Sequence, residues 1–197
     1  MNFKTIEESV EGFYKEKGSK FYAHAFPVES LEEVRTRLNE LRKQYYDARH
    51  HCFAYILGMK QQSVRANDDG EPNHSAGDPI LGQIKSFELT NTLVVVVRYF
   101  GGTKLGVGGL VHAYKTAAQD ALSKAAKRII FPTCHIKVSF PYDDTSSVEK
   151  ALDELEVKII DRHYTENCEI EGLIREEWYE RFVANFELLS DVIVEEC

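Results

Sequence analysis

The chain has 197 residues, 43% of them hydrophobic, with a formal net charge of -8, enough for a packed core in one large or two small domains. No apolar run approaches the ~20 residues of a membrane helix, and the N-terminus lacks the basic start and apolar segment of a secretory signal, so a cytoplasmic location with no membrane partner is expected. Cys52, Cys134, Cys168 and Cys197 are far apart and form no C-x-x-C pair, which argues against a zinc site or a disulfide framework.

The charge is uneven. Residues 1–133 hold 18 Lys/Arg and 15 Asp/Glu, whereas residues 134–197 hold 6 and 17. The first part is therefore mildly basic and could meet nucleic acid, while the second is strongly acidic.

Taken in order, Val10 to Lys17 and Lys20 to Val28 read as a hairpin with Gly18-Ser19 at the turn. Ser30 followed by Glu33 forms a capping box, and Leu31, Val34, Leu38, Leu41 and Tyr45 then recur at helical spacing. Cys52 to Leu57 suits a core strand introduced by Arg49, His50 and His51. The adjacent histidines must point to opposite sides of such a strand, which makes a shared metal difficult. Residues 65–79 are rich in turn formers and read as a loop, with Ser75 placed to cap a helix through Ile80, Leu81, Ile84 and Phe87.

Val94 to Tyr114 organises the chain. Four valines lead to Arg98, Tyr99 and Phe100, and Gly101, Gly102, Gly106, Gly108 and Gly109 follow within nine residues before helical spacing resumes at Leu110. Unbroken β-branched residues mark a buried strand. Glycines permit positive φ and close backbone approach, and the helix start supplies unpaired N–H groups, so with Arg98 and Lys104 beside it the loop suits an anion. It is not a Walker A loop, because Lys104 precedes Gly106 and is followed by Leu105. It also fails the dinucleotide fingerprint, since Val111 occupies the third glycine position and no acidic residue follows at the required distance. The alternative is that the glycines serve packing between loop and sheet.

The second candidate is the acidic loop, with Asp68, Asp69 and Glu71 in four residues and His74 and Ser75 close by. Such carboxylates could hold a hard cation or act in acid–base chemistry. They equally suit turns, or a salt-bridge cluster against Arg98 and Lys104. Neither a catalytic residue, a metal ligand nor a cofactor is assigned; Arg49, His50, Asp68, Asp69, Glu71, Ser75 and His112 stand as neighbours of any pocket.

Beyond Pro132 the pattern restarts. His135 to Phe140 alternates as a strand, and a helix runs through Val148, Leu152 and Leu155. Val157 to Tyr164 and Cys168 to Ile174 form a hairpin across Thr165-Glu166-Asn167. A helix carrying Trp178, Phe182 and Phe186 follows, then a strand at Val192 to Val194. This β-α-β-β-α-β order is the ferredoxin-like arrangement. Two α+β domains are expected, 1–133 and 134–197.

The segments RANDDGEPNHSAGDPIL and VVVVRYFGGTKLGVGGLVHAY, the upstream ARHHCFAY and the short C-terminal domain together resemble the Impact family, in particular its YigZ-like bacterial branch. The resemblance spans nearly the whole chain. It implies a first domain like the fourth domain of elongation factor G and a second like its fifth. It also implies a link to translation, since eukaryotic members regulate translation under amino-acid starvation. Carried over residue by residue, the motif touches Arg49, His50, Asp68, Asp69, Gly70, Glu71 and Pro72. It continues at Ala76, Gly77, Pro79, Arg98–Gly102, Lys104–Gly106 and Gly108–Leu110. His112 departs from the family's usual Arg, which removes a permanent charge and makes a phosphate contact there pH-dependent. Asn73-His74 replaces smaller residues.

These features favour a binding protein contacting RNA or a ribosome-associated partner through the glycine loop. The alternatives are an enzyme acting on a small phosphorylated or anionic metabolite between the two loops, and a protein–protein regulator that uses no RNA. Oligomeric state is not legible.

Overall fold

A computed structural model describes residues 3–59, 61–165 and 167–197. The chain is mixed α+β and divides into two compact units, Met1–Ile130 and Phe131–Cys197. In chain order the first unit contains β1 (Phe3–Ile6), β2 (Val10–Glu16), β3 (Ser19–Pro27), α1 (Leu31–Gln44), β4 (His50–Leu57) and β5 (Ser63–Asn67). Then come α2 (Gly77–Ser86), β6 (Thr92–Tyr99), α3 (Gly106–Lys124) and β7 (Lys127–Ile130).

Five strands form one antiparallel sheet in the order β2-β3-β6-β4-β5, with the valine strand β6 at its centre. Its valines are fully buried because both faces are covered. Val94 and Val96 join α2 and α3 in one core, while Leu93, Val95 and Val97 join Val34, Leu38 and Leu41 of α1 in another. At the start of α1, Ser30 Oγ accepts from Glu33 N at 3.2 Å, and the Glu33 carboxylate accepts from the Glu29 amide at 2.9 Å.

Four details differ from the sequence reading. The β2–β3 turn lies at Lys17-Gly18, one residue earlier than expected, because both residues there take positive φ (44° and 82°), as a tight two-residue hairpin loop requires. β5 extends the sheet where Arg65 to Asn67 read as loop; an exposed edge strand needs little hydrophobic alternation. β1 and β7 pair with each other, bringing the beginning and end of the unit together. Their four-residue lengths and mixed polarity hide them in the sequence. Finally, Ser75 does not cap α2: its hydroxyl donates to the Pro72 carbonyl at 2.6 Å, and the residue preceding the helix is Ala76.

The second unit contains β8 (Thr133–Pro141), α4 (Thr145–Glu154), β9 (Lys158–His163), β10 (Asn167–Arg175), α5 (Tyr179–Ala184) and β11 (Ile193–Glu196). Its antiparallel sheet has the order β11-β8-β10-β9. Ile136, Val138, Phe140, Cys168 and Ile170 supply the buried face, against Val148 and Leu152 of α4 and Phe182 of α5. The last helix is shorter than its aromatic spacing suggests. Trp178 sits in a preceding 3-10 turn and Phe186 lies beyond the end, so only Phe182 is helical. Glu166, expected in the hairpin turn, lies outside the described residues.

Candidate functional site

The loop after β6 is laid across the tip of the β2–β3 hairpin. A Cβ on Gly101 would stand 1.9 Å from the Gly18 carbonyl carbon, and the Gly101 amide donates to Ser19 Oγ at 3.1 Å. Glycine is required there for packing. Gly102 and Gly106 instead take positive φ (89° and 72°), and a Cβ on either would meet nothing within 4 Å; Gly108 also faces open space. Lys104, Val107 and most of the loop backbone are exposed, and no side chain caps the start of α3. The loop thus docks through one glycine and presents a bare helix start, with Lys104 as its exposed cation.

Arg98 departs from the expected role of an open phosphate ligand. Its side chain is 7% exposed, and Nη1 donates to Glu71 Oε1 at 2.6 Å. Tyr114 of α3 donates its hydroxyl to the same oxygen at 2.8 Å, and the Cys52 thiol lies 3.3 Å from the Tyr114 oxygen. The guanidinium carbon lies 5.6 Å from the ring centres of both Phe21 and Phe100. Burial pushes the Tyr114 hydroxyl and the Cys52 thiol far above their ordinary pKa values, with the Cys52–Tyr114 and Glu71 interactions secondary. Cys52 is therefore a core thiol, not a nucleophile.

The acidic loop is likewise occupied by structure. Asp68 accepts from the amides of Ala76 (2.9 Å) and Gly77 (2.8 Å) at the start of α2 and from His74 N (2.9 Å). Burial acts to raise the Asp68 carboxyl, but the amides of Gly77, His74 and Ala76 outweigh it and hold the pKa below the ordinary carboxylate range. Asp68 thus takes, from a distance, the capping role that spacing assigns to Ser75. Asp69 accepts from His51 N at 2.7 Å, while Asn67 Oδ1 accepts from Asp69 N at 2.8 Å. With Glu71 engaged by Arg98 and Tyr114, all three carboxylates have partners. Among the described residues, no three His, Cys, Asp or Glu side chains converge to hold a metal.

A pocket lies beside this corner. It encloses about 380 Å³ and is lined by Asp47, Arg49, His50, Arg98, Tyr99 and Phe100. The Asp69 carbonyl, 2.9 Å from His50 Nδ1, can only accept. Nδ1 must therefore carry the proton, leaving Nε2 as an acceptor in the neutral ring. Tyr99 donates to Asp47 Oδ1 at 2.6 Å; this hydrogen bond, followed by burial, pushes the tyrosine pKa up to about 12. Arg49 is exposed at the rim. Of the expected neighbours, Arg49 and His50 share this pocket. His112 packs edge-on against Tyr14, with ring centres 5.8 Å apart.

Asp47 joins the site only through the fold, whereas Tyr99 and Phe100 belong to the motif already named. Nothing in the sequence marks Asp47, which lies just past α1 and accepts from Tyr99 at the end of β6. Strand register is the signal that places Tyr99 and Phe100 beside Arg49 and His50.

A family model for the Impact N-terminal domain matches residues 17–122. The IMPACT family member YvyE of Bacillus subtilis is 33% identical over 177 residues, covering 89% of this chain and 81% of that protein. The Protein IMPACT homolog of Dictyostelium discoideum is 38% identical over 105 residues, 51% of this chain but 30% of its own length. A crystal structure described as that of a hypothetical protein superposes with a TM-score of 0.77 at 27% identity, covering 98% of this chain and 96% of that one.

Proposed function

This chain belongs to the Impact family, and on that premise we propose a translation-associated binding protein whose first unit contacts RNA or a ribosome-associated partner through the glycine loop. The observation that carries this reading is the bare, uncapped start of α3, with exposed Lys104 on the loop leading into it. Arg98 contributes rigidity, since its charge is already neutralised by Glu71. Phosphate contacts then fall to Lys104, the backbone amides of Gly106 and Gly108, and Arg49 at the nearby rim. The mildly basic balance of residues 1–133 supports the same reading. In this account the second unit, which we read as ferredoxin-like from its strand order, is a separate acidic module.

The enzyme reading loses its motivation, because Asp68, Asp69 and Glu71 are all engaged by amides or by buried side chains. The test is capture of ribosomes and ribosomal RNA by the purified chain at low salt, repeated after RNase treatment. Capture abolished by RNase supports the RNA contact. Capture of a protein that survives RNase supports a protein–protein regulator instead, and no capture at low salt contradicts both.

A further inference from the structure

The open end of the sheet on the α1 side carries an aromatic surface that adjoins the glycine loop through Arg49 and Phe100. Cross-strand register aligns Lys15 with Lys20 and Lys20 with Tyr99, and Arg49 continues the row just before the His50–Arg98 pair. The next row inward aligns Phe13 with Tyr22. α1 ends at Gln44 and leaves Phe13, Lys15, Lys20 and Arg49 of these rows exposed, while Tyr45 and Asp47 from beyond its end reach Tyr22 and Tyr99. Tyr45 stacks on Tyr22 with ring centres 5.9 Å apart and planes at 26°, and Tyr99 meets Tyr22 edge-on at 6.0 Å. Phe13 and Phe100 are 45% and 58% exposed at the margins, so the aromatic surface is not merely the rim of a core.

The surface is concave. A cleft of about 440 Å³ is lined by Gly18, Lys20, Tyr22, Tyr45, Tyr99 and Phe100, and it shares Tyr99 and Phe100 with the 380 Å³ pocket that holds Arg49 and His50. Among the described residues, Lys15, Lys20 and Arg49 are exposed and take part in no ion pair. Asp47 is the one acid lining these two clefts among the described residues, and its carboxylate is turned onto the Tyr99 hydroxyl.

We propose that this aromatic cleft takes the bases of single-stranded RNA, stacked against Phe100 and the tyrosine cluster, while Lys15, Lys20 and Arg49 hold the flanking phosphates. The charge complementarity selects a polyanion, and the adjoining aromatic rings select one with flat, unpaired bases over a duplex whose bases are stacked internally. The proposal rests on the reading that the first unit meets RNA, and it names the form of RNA.

The test titrates the full-length chain at low salt with a fluorescent oligouridylate of about ten nucleotides and with an abasic strand of equal length and charge. Tighter binding of the base-bearing strand is expected. Phe100→Leu should weaken binding of the oligouridylate about ten-fold and leave the abasic strand unchanged. Equal affinity for the two strands overturns base stacking but leaves the phosphate-contact reading standing. Failure to bind either strand overturns both and leaves the cleft to a protein partner. Phe100 is exposed, and an unchanged melting temperature for its variant excludes misfolding as the cause of a loss.

Discussion

Arg98 Nη1 donates to Glu71 Oε1 at 2.6 Å, with side chains only 7% and 4% exposed, so these two charges of the paired motifs neutralise each other inside the fold. This ion pair ties the acidic loop to the end of β6, and Tyr114 ties both to α3. It is a structural joint on which the exposed glycine loop is carried.

Removing one member of this joint leaves a buried charge without its partner. Arg98→Met should cost about 3–5 kcal/mol in urea unfolding. Adding Glu71→Gln, which neutralises the stranded carboxylate yet still accepts from Tyr114, should restore part of that loss. A double variant less stable than Arg98→Met alone would contradict the assignment.

Asp68 accepts three backbone amides around the start of α2, and Asp68→Asn keeps the shape while removing the charge and half the acceptors. A loss of about 1–3 kcal/mol is expected. Because the Asp68 pKa is depressed in the folded state, its contribution is present above the ordinary carboxylate pKa and disappears as pH falls through the folded value. The variant should therefore lose part of the wild-type stability difference between pH 5 and about pH 3.

His24 and His51 are buried on the α1 side of the sheet, and burial lowers both pKa values, against the opposing carboxylates of Glu11 and Asp69 respectively. Between the folded value and the unfolded value of about 6.5, the unfolded chain binds more protons. Stability should be full above pH ~6.5 and decline as pH falls below it. Melting temperatures between about pH 7.5 and 5 check this, and replacing both histidines with Gln should flatten the profile. A wild-type curve that rises toward acid over that range has the wrong sign for this account.

The glycines separate into two kinds. Gly101→Ala collides with the Gly18 backbone and should destabilise by about 1–3 kcal/mol. Gly108→Ala sits in the first turn of α3 with open space around its new methyl and should stabilise by up to about 1 kcal/mol. Thermal unfolding of the two single variants distinguishes them.

Much of this fold is legible in the sequence because hydrophobic period and turn chemistry are local signals. Val94–Val97 mark the central strand, and Ser30 with Glu33 marks the start of α1. What escapes depends on partners distant in sequence. β1 becomes a strand only because β7 returns beside it, and Asp68 becomes a helix cap only because the loop folds back over Gly77. The candidate site shows the same division. The exposed glycine loop and Lys104 can be named from spacing, and a salt-bridge cluster against Arg98 is among the readings of the acidic loop, but that Glu71 is the partner follows only from the fold. Nor does the sequence reveal that Lys20, Tyr99 and Arg49 share a row, since that follows from register across three strands.

The central claim is that the glycine loop meets the phosphates of RNA through Lys104. It is tested most directly by the salt dependence of RNA affinity, measured by fluorescence anisotropy on the wild-type chain and on Lys104→Glu. The account predicts affinity falling steeply with salt for the wild type, with weaker binding and a shallower slope for the variant. RNA binding of equal strength and equal salt slope in the two proteins would contradict it.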